Sequence, residues 1–279
     1  MTEADGLRFT KMHSLGNDFV MIDGVSAPVA LRAEAIRQLA DRHFGVGCDQ
    51  VILVEQATGA ADFFMRIFNT DGSESGQCGN GARCLGRFVH DRGLTSKQVL
   101  EIETISPHFR LEVGTDRMVS ADLADPVFAP AEIPFRADAQ QPSYKIAVDG
   151  SAVEIGAVSM GNPHAVLLVD DVDHAPVHHL GPLIEHHADF PERTNVEFVE
   201  VVGRDALKIR VWERGVGETL ACGSGACAAV AVARVWDRID DAVLVTLPGG
   251  TLSITWSGHG PMGMRGPTET VFDGVWVSN

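Results

Sequence analysis

Lysine is scarce in this chain of 279 residues. Only Lys11, Lys97, Lys145 and Lys208 are present, none in a recognisable Schiff-base setting, which argues against pyridoxal chemistry. Positive charge is scarce in general. Lys and Arg number 22 against 38 Asp and Glu, a formal net charge of −16. That balance favours solubility and excludes a surface built for nucleic acid or for an anionic membrane. It leaves an anionic small molecule open, because N–H groups and arginines can dominate one cleft. Long apolar runs are missing. The longest helical one, residues 226–233, is far too short to span a bilayer. The first ten residues lack a basic stretch followed by an apolar one, so no signal peptide is expected. Cys-x-x-Cys pairs are absent, and zinc usually wants tighter ligand spacing than these five cysteines offer. An odd number of cysteines without a signal peptide reads as free thiols in a reducing, cytoplasmic setting.

What the chain does have is a repeat. Cys78-Gly79-Asn80-Gly81-Ala82 is answered 144 positions later by Cys222-Gly223-Ser224-Gly225-Ala226. Arg66-Ile67-Phe68-Asn69 returns at the same offset as Arg210-Val211-Trp212-Glu213. Ser14-Leu15-Gly16-Asn17 returns at 145 as Ser159-Met160-Gly161-Asn162, and Asp91-Arg92 at 146 as Asp237-Arg238. Four matches in one order at nearly one offset indicate a duplicated domain, in keeping with a length that suits about two domains.

Apolar alternation and β-branched content predict strands at residues 8–12, 19–23, 50–55, 62–68, 100–105 and 110–113 in the first half. The second half repeats them at 155–159, 165–169, 195–202, 207–212, 243–247, 251–256 and 269–276. Helical spacing marks residues 31–43, 82–92 and 226–236, while 70–76 reads as a loop. Residues 126–143, with four prolines and little periodicity, read as the inter-domain connection. The helix at 226–236 is apolar nearly all round, so it must be buried on every side, as a sheet curled around it would do.

A cysteine at the entry to a helix faces the positive end of the helix dipole, which lowers its thiol pKa and favours thiolate. The glycine after it lets backbone N–H groups approach a carboxylate closely. Each half therefore offers a base and an anion cradle in one turn. Face to face, two such turns suit removal of a proton from one side of a carbon and its return to the other. Cys48, Cys84 and Cys227 read instead as small buried hydrophobes. The histidines His174, His178, His179, His186 and His187 read as a solvated surface or loop rather than a metal set.

Several stretches then resemble one family, the diaminopimelate epimerases, relatives of the proline racemases. They are Lys11-Met12-His13-Ser14-Leu15-Gly16-Asn17-Asp18-Phe19, Phe68-Asn69-Thr70-Asp71-Gly72-Ser73-Glu74 and Gln77-Cys78-Gly79-Asn80-Gly81-Ala82-Arg83-Cys84 in the first half. In the second they are Gly161-Asn162-Pro163-His164-Ala165, Thr194-Asn195-Val196, and Glu213 to Thr219 leading into Ala221-Cys222-Gly223-Ser224-Gly225-Ala226. The resemblance implies an α+β fold of two pseudo-symmetric domains, each a curled, mostly antiparallel sheet around a central helix. It implies domains at residues 1–125 with 268–279 and at 126–267, with the active site in the cleft between them. It implies interconversion of LL- and meso-diaminopimelate, in lysine and peptidoglycan precursor synthesis, with no cofactor and no metal.

By the same resemblance, Cys78 takes the proton from the LL isomer and Cys222 from the meso isomer, with His164 and Glu213 beside the thiols. Asn69, Asn162, Asn195 and Arg214 hold the distal end of the substrate. Asn17 and Gln50 lie near the reacting centre, whose carboxylate is bound by Gly79-Asn80 and Gly223-Ser224. The family is often dimeric, so the resemblance implies a homodimer; a tyrosine tied to the dimer contact in some members corresponds to Phe272, which keeps the ring but loses the hydroxyl. The rival reading is another cofactor-independent racemase, of proline or hydroxyproline type. Those enzymes carry His where this chain has Asn80, and their substrates leave Arg214 unexplained. A redox protein with a switchable Cys78–Cys222 disulfide is the rival of another class.

Overall fold

A computed structural model of the protein describes residues 6–76, 78–106 and 108–277. Gln77, which opens one matched stretch, lies outside the described residues. So do residues 1–5 of the segment read for a signal peptide and residues 278–279 at the end of the first expected domain. The chain divides into two compact units, residues 1–121 with 266–279, and residues 122–265.

In unit 1 the chain forms β1 (Leu7–Ser14), β2 (Asn17–Asp23), α1 (Ala33–Ala40), β3 (Gln50–Gln56), β4 (Phe63–Asn69) and β5 (Glu74–Ser75). It continues through α2 (Gly79–Asp91), β6 (Val99–Glu103), β7 (Phe109–Val113) and β8 (Met118–Leu123). Unit 2 contains β9 (Tyr144–Val148), β10 (Ser151–Ser159), β11 (Pro163–Leu168), α3 (Val177–Glu185), β12 (Asn195–Gly203) and β13 (Ala206–Glu213). It continues through β14 (Gly217–Thr219), α4 (Gly223–Val235), β15 (Ala242–Leu247), β16 (Gly250–Thr255) and β17 (Met262–Pro267). The last strand, β18 (Glu269–Trp276), belongs to unit 1.

The two units have one topology. In unit 1, β1 runs antiparallel to β2, β2 parallel to β3, β3 antiparallel to β4, β4 parallel to β6 and β6 antiparallel to β7. In unit 2 the same alternation joins β10, β11, β12, β13, β15 and β16. β18 lies antiparallel beside β1, as β9 does beside β10. Even the surface ion pairs recur. Arg66 grips Glu74 across β4 and β5 at 2.8 Å, and Arg210 grips Glu218 across β13 and β14 at 2.6 Å. The fold is α+β with a mostly antiparallel sheet in each unit.

Each sheet packs on the helix that follows the cysteine. α2 lies on β1, β2 and β7, and α4 on β10, β11, β12, β13 and β16. Residues 225–233 of α4 are all buried, as its lack of a polar face requires. Close approach demands glycine in the sheet: a Cβ on Gly156 of β10 would stand 2.3 Å from Val232 Cγ1 of α4.

Four features depart from the sequence reading. Residues 126–143 are not a bare connection, because Ile133 and Phe135 pack into the core of unit 2 with Ile146, Phe190 and Phe198. The expected loop at 70–76 contains the short strand β5, which Arg66 pins through Glu74. α2 and α4 start three residues earlier than hydrophobic spacing suggested, because glycines without side chains open them. The strands β8, β9, β14 and β17 and the helix α3, which carries the exposed His178 and His179, were not anticipated. Among the described residues no helix is long and apolar enough to cross a membrane.

Gly156→Ala is expected to lower stability by about 1–3 kcal/mol through overpacking of α4. Gly59→Ala, whose Cβ would meet only Glu103 Oε2 at 3.7 Å, serves as the neutral control. Urea midpoints compare the two, and equal midpoints would show that α4 is not tightly seated.

Candidate active site

Cys78 and Cys222 hold the same position in the two units. Each is the N-cap of its helix, with extended backbone at φ −157° and −119°. Each sulfur accepts from the N–H three residues on, Gly81 at 3.3 Å and Gly225 at 3.4 Å. Small polar side chains usually take this role, satisfying one of the free donors of the first turn. Here a thiol takes it, so the sulfur is locked against the positive end of the helix. The glycine at the third position is required for space. A Cβ on Gly81 would stand 2.5 Å from Ile52 Cδ1, and one on Gly225 2.9 Å from Glu197 Oε1.

The two thiols differ in setting. Cys78 is partly exposed, whereas Cys222 is buried. Burial pushes the Cys222 thiol well above its usual pKa, and the carboxylates of Glu213 and Glu197 push the same way. The Ser224 hydroxyl, 3.5 Å from the sulfur, and the Gly225 N–H oppose them and lose. The expected thiolate-favouring shift is therefore reversed at Cys222. A helix terminus contributes about 0.3–1 kcal/mol, whereas full desolvation can move a group by several pK units. Cys48, Cys84 and Cys227 are buried as expected. Burial pushes the Cys48 thiol up to about 12 and the Cys84 thiol higher still.

In unit 1 the polar residues form two chains. Asn80 donates to Asn17 Oδ1 at 3.1 Å, and Asn17 donates to Asp49 Oδ2 at 2.8 Å. The buried Arg83 secures this chain from beneath, donating to Asn80 Oδ1 and to Ser14 Oγ, both at 2.7 Å. The turn Leu15-Gly16, with φ of 56° and 86°, returns the chain so that Asn17 opens β2. Such two-residue hairpin turns match the twist of the strands they join. The second chain links Gln50 Nε2 to Asn69 Oδ1 at 3.0 Å and Asn69 Nδ2 to Ser73 Oγ at 3.0 Å. Gln50 is thus bonded to Asn69.

Unit 2 gathers its residues around the ends of β11, β12 and β13. His164 is fully buried, with Nδ1 at 2.7 Å from Glu197 Oε1 and Nε2 at 3.0 Å from Asn162 Oδ1. Asn195 Oδ1 accepts from the Arg214 N–H at 3.0 Å, and Asn195 Nδ2 donates to the Pro163 carbonyl at 2.9 Å. Arg214 Nη1 donates to the Glu192 carbonyl at 3.1 Å. Glu213 accepts from the Thr219 hydroxyl. Phe272 is on β18, half-exposed and edge-on to Phe9 with ring centres 5.9 Å apart.

Comparison with known proteins shows the family and the fold. Residues 9–128 and 156–271 match the family described as diaminopimelate epimerase. The chain belongs to that family. A diaminopimelate epimerase of Thioalkalivibrio sulfidiphilus is 53% identical over 96% of this chain and 98% of its own. One from Teredinibacter turnerae is 55% identical over 96% and 98%. Among solved structures, a hydroxyproline epimerase from Agrobacterium vitis superposes with a TM-score of 0.71 at 14% identity, over 98% of this chain and 93% of that one. A PhzF-family phenazine biosynthesis protein from Bacillus anthracis gives 0.70 at 17% identity, over 96% and 97%. At such identities these two show the shared fold.

Three buried charged residues of this diaminopimelate epimerase family member escaped the sequence reading. Arg83 stands in a matched stretch, but no spacing says that it supports Asn80. Glu185 of α3 accepts from Trp212 Nε1 at 2.8 Å and from the Gly215 N–H at 2.9 Å, and so holds the turn that carries Arg214. Glu197 has no motif of its own. Its signal was the repeat, since 145 positions earlier stands Ile52. Among the described residues no group of three or more acidic, His or Cys side chains could hold a metal ion.

Because a nearby carboxylate disfavours the thiolate, Glu213→Gln should move alkylation of Cys222 to lower pH. Iodoacetamide labelling across a pH series, read by peptide mass spectrometry, measures this. An unchanged or higher labelling midpoint would remove Glu213 from the electrostatics of the thiol.

Proposed function

We propose that this protein interconverts LL- and meso-2,6-diaminopimelate by two-base proton transfer at one α-carbon, in the synthesis of lysine and peptidoglycan precursors. The observation that carries the reading is the occurrence, at equivalent places in two repeated units, of a cysteine capping a buried helix. In the LL-to-meso direction Cys78, as thiolate, removes the α-proton. The electron pair of the C–H bond spreads onto the substrate carboxylate. Cys222, as thiol, returns a proton to the opposite face and is left as thiolate. The raised pKa of Cys222 suits its resting role as the acid. The reverse direction exchanges the roles.

For this to happen the two half-sites must meet on one substrate in the cleft between the domains. The N–H groups at Gly79-Asn80 and Gly223-Ser224 then face the carboxylate on which charge develops, where fixed dipoles are most effective. Asn17 and Gln50 orient the reacting end. Asn69, Asn162, Asn195 and Arg214 hold the distal amino-acid end, and a guanidinium is well shaped for its carboxylate. His164 and Glu213 stand beside the thiols.

The reaction as proposed needs no pyridoxal phosphate. In support, Lys11 is engaged by Asp18 at 2.6 Å and Lys97 is paired with Asp62. We also place the protein in the cytoplasm as a homodimer. The exposed Val271, Phe272, Val275 and Val277 on and just after β18 support a self-association face.

With purified protein, LL-diaminopimelate and no added cofactor, meso product is expected. Cys78→Ala and Cys222→Ala should each lose at least about 100-fold, the low end for a general acid or base. Activity on proline or hydroxyproline instead would favour the rival racemase, and full activity in either variant would end the two-thiol reading. Phe272→Asp should shift sedimentation from dimer toward monomer, and an unchanged dimer would place the contact elsewhere.

A further inference from the structure

The two units support their helix starts by different chemistry at equivalent positions. The ladder between β2 and β3 pairs Phe19 with Gln50, and that between β11 and β12 pairs His164 with Asn195. Two residues further along the second strand of each pair stand Ile52 and Glu197. Ile52 and Phe19 lie under Gly81, within 2.5 and 3.4 Å of where a Cβ would be. Glu197 lies in the same way under Gly225, at 2.9 Å. An apolar pair therefore suffices to seat such a helix. Unit 2 instead buries an acid and a histidine completely, and Glu197 Oε2 has no hydrogen-bond partner among the described residues. Burying such a pair gains little or nothing in stability over apolar residues of similar size.

What the pair does is set the next side chain. Asn162 turns its carbonyl oxygen to His164 Nε2 at 3.0 Å, so Nε2 must donate. The short contact from Nδ1 to Glu197 then holds one further proton, shared between ring and carboxyl. Burial, which pushes the Glu197 carboxyl up against the pull of His164, favours keeping that proton in the pair. With Nε2 fixed as a donor, the Asn162 amide has one orientation, its NH2 group turned away from His164. Asn17, the equivalent residue, is oriented differently, between Asn80 and Asp49.

We propose that Glu197 is a positioning residue which, through His164, holds the Asn162 amide with its NH2 group presented as a donor to a substrate carboxylate. This rests on the reading of Asn162 as a ligand of the distal end. The distal end is common to both isomers, so loss of the donor weakens binding in both directions alike.

The test compares His164→Phe/Glu197→Ile, which transplants the pair of the other unit, with Asn162→Ala, the triple combination, Glu197→Gln and Glu197→Leu. The double variant should melt at the wild-type temperature or above. Its KM should rise about tenfold for LL- and meso-diaminopimelate, the size expected for a lost hydrogen bond to a charged group. Asn162→Ala should raise KM comparably, and the triple variant should have no higher KM than Asn162→Ala alone, because all act on KM through one amide. Glu197→Gln can donate its amide N–H to Nδ1 and leave Nε2 a donor, so its KM should stay near the wild-type value. Glu197→Leu removes the partner of Nδ1 and should raise KM toward that of the double variant, and it carries the test if the double variant does not fold. A wild-type KM in the double variant or in Glu197→Leu, or an additive triple variant, overturns the role of Glu197 while leaving Asn162 a ligand. A wild-type KM in Asn162→Ala overturns the reading of Asn162 and this proposal with it.

Discussion

Each thiol is the cap of a helix packed against its sheet, and the rest of the structure depends on that constraint. A thiol is a weak acceptor, so the bond from the third N–H would not by itself hold the sulfur. What holds it is the burial of the helix behind it. α4 is enclosed along residues 225–233, and glycines at the contact points let the sheet approach within van der Waals distance. Shifting the helix start by one residue would drive a Cβ into Ile52 or Glu197. Each capping cysteine therefore sits at the start of a tightly packed helix, a placement that suits a reaction needing accurate positioning of a proton.

Duplication supplied two such positions, and divergence made them unequal. Topology, the Arg–Glu pairs of the hairpins and the capping cysteines have stayed alike. The surroundings have not. Arg83 in α2 is answered by Cys227 in α4, and the apolar Phe19 and Ile52 are answered by the polar His164 and Glu197. Burial, and after it the nearby carboxylates, raise the pKa of Cys222, while Cys78 is partly exposed. A centre that inverts a carbon benefits from two similar thiols. A substrate with a second amino-acid end that must stay unchanged needs the rest of the pocket to differ.

Much of this was legible in the sequence, for identifiable reasons. The repeat, the buried helix and the capping cysteines all rest on local pattern, and local pattern survives folding. The expected substrate ligands Asn17, Asn162, Asn195 and Arg214 came from motif resemblance. Long-range events were not legible. Ile133 and Phe135 entering a core from a proline-rich stretch depend on where that stretch lands. The reversal of the Cys222 shift depends on how many atoms cover the sulfur and on Glu213 and Glu197, which stand on neighbouring strands. Short strands such as β5 exist because Arg66 reaches Glu74, not because their residues favour extension.

The central claim is that two different bases act on opposite faces of one carbon. Early turnover of LL-diaminopimelate in D2O tests it most directly, with both isomers separated and their α-hydrogen content measured. A two-thiol mechanism predicts deuterium at the α-carbon of the newly formed meso isomer, while the remaining LL substrate keeps its protium. Equal labelling of both isomers, or protium retained in the product, would mean that a single base serves both faces and would contradict the account.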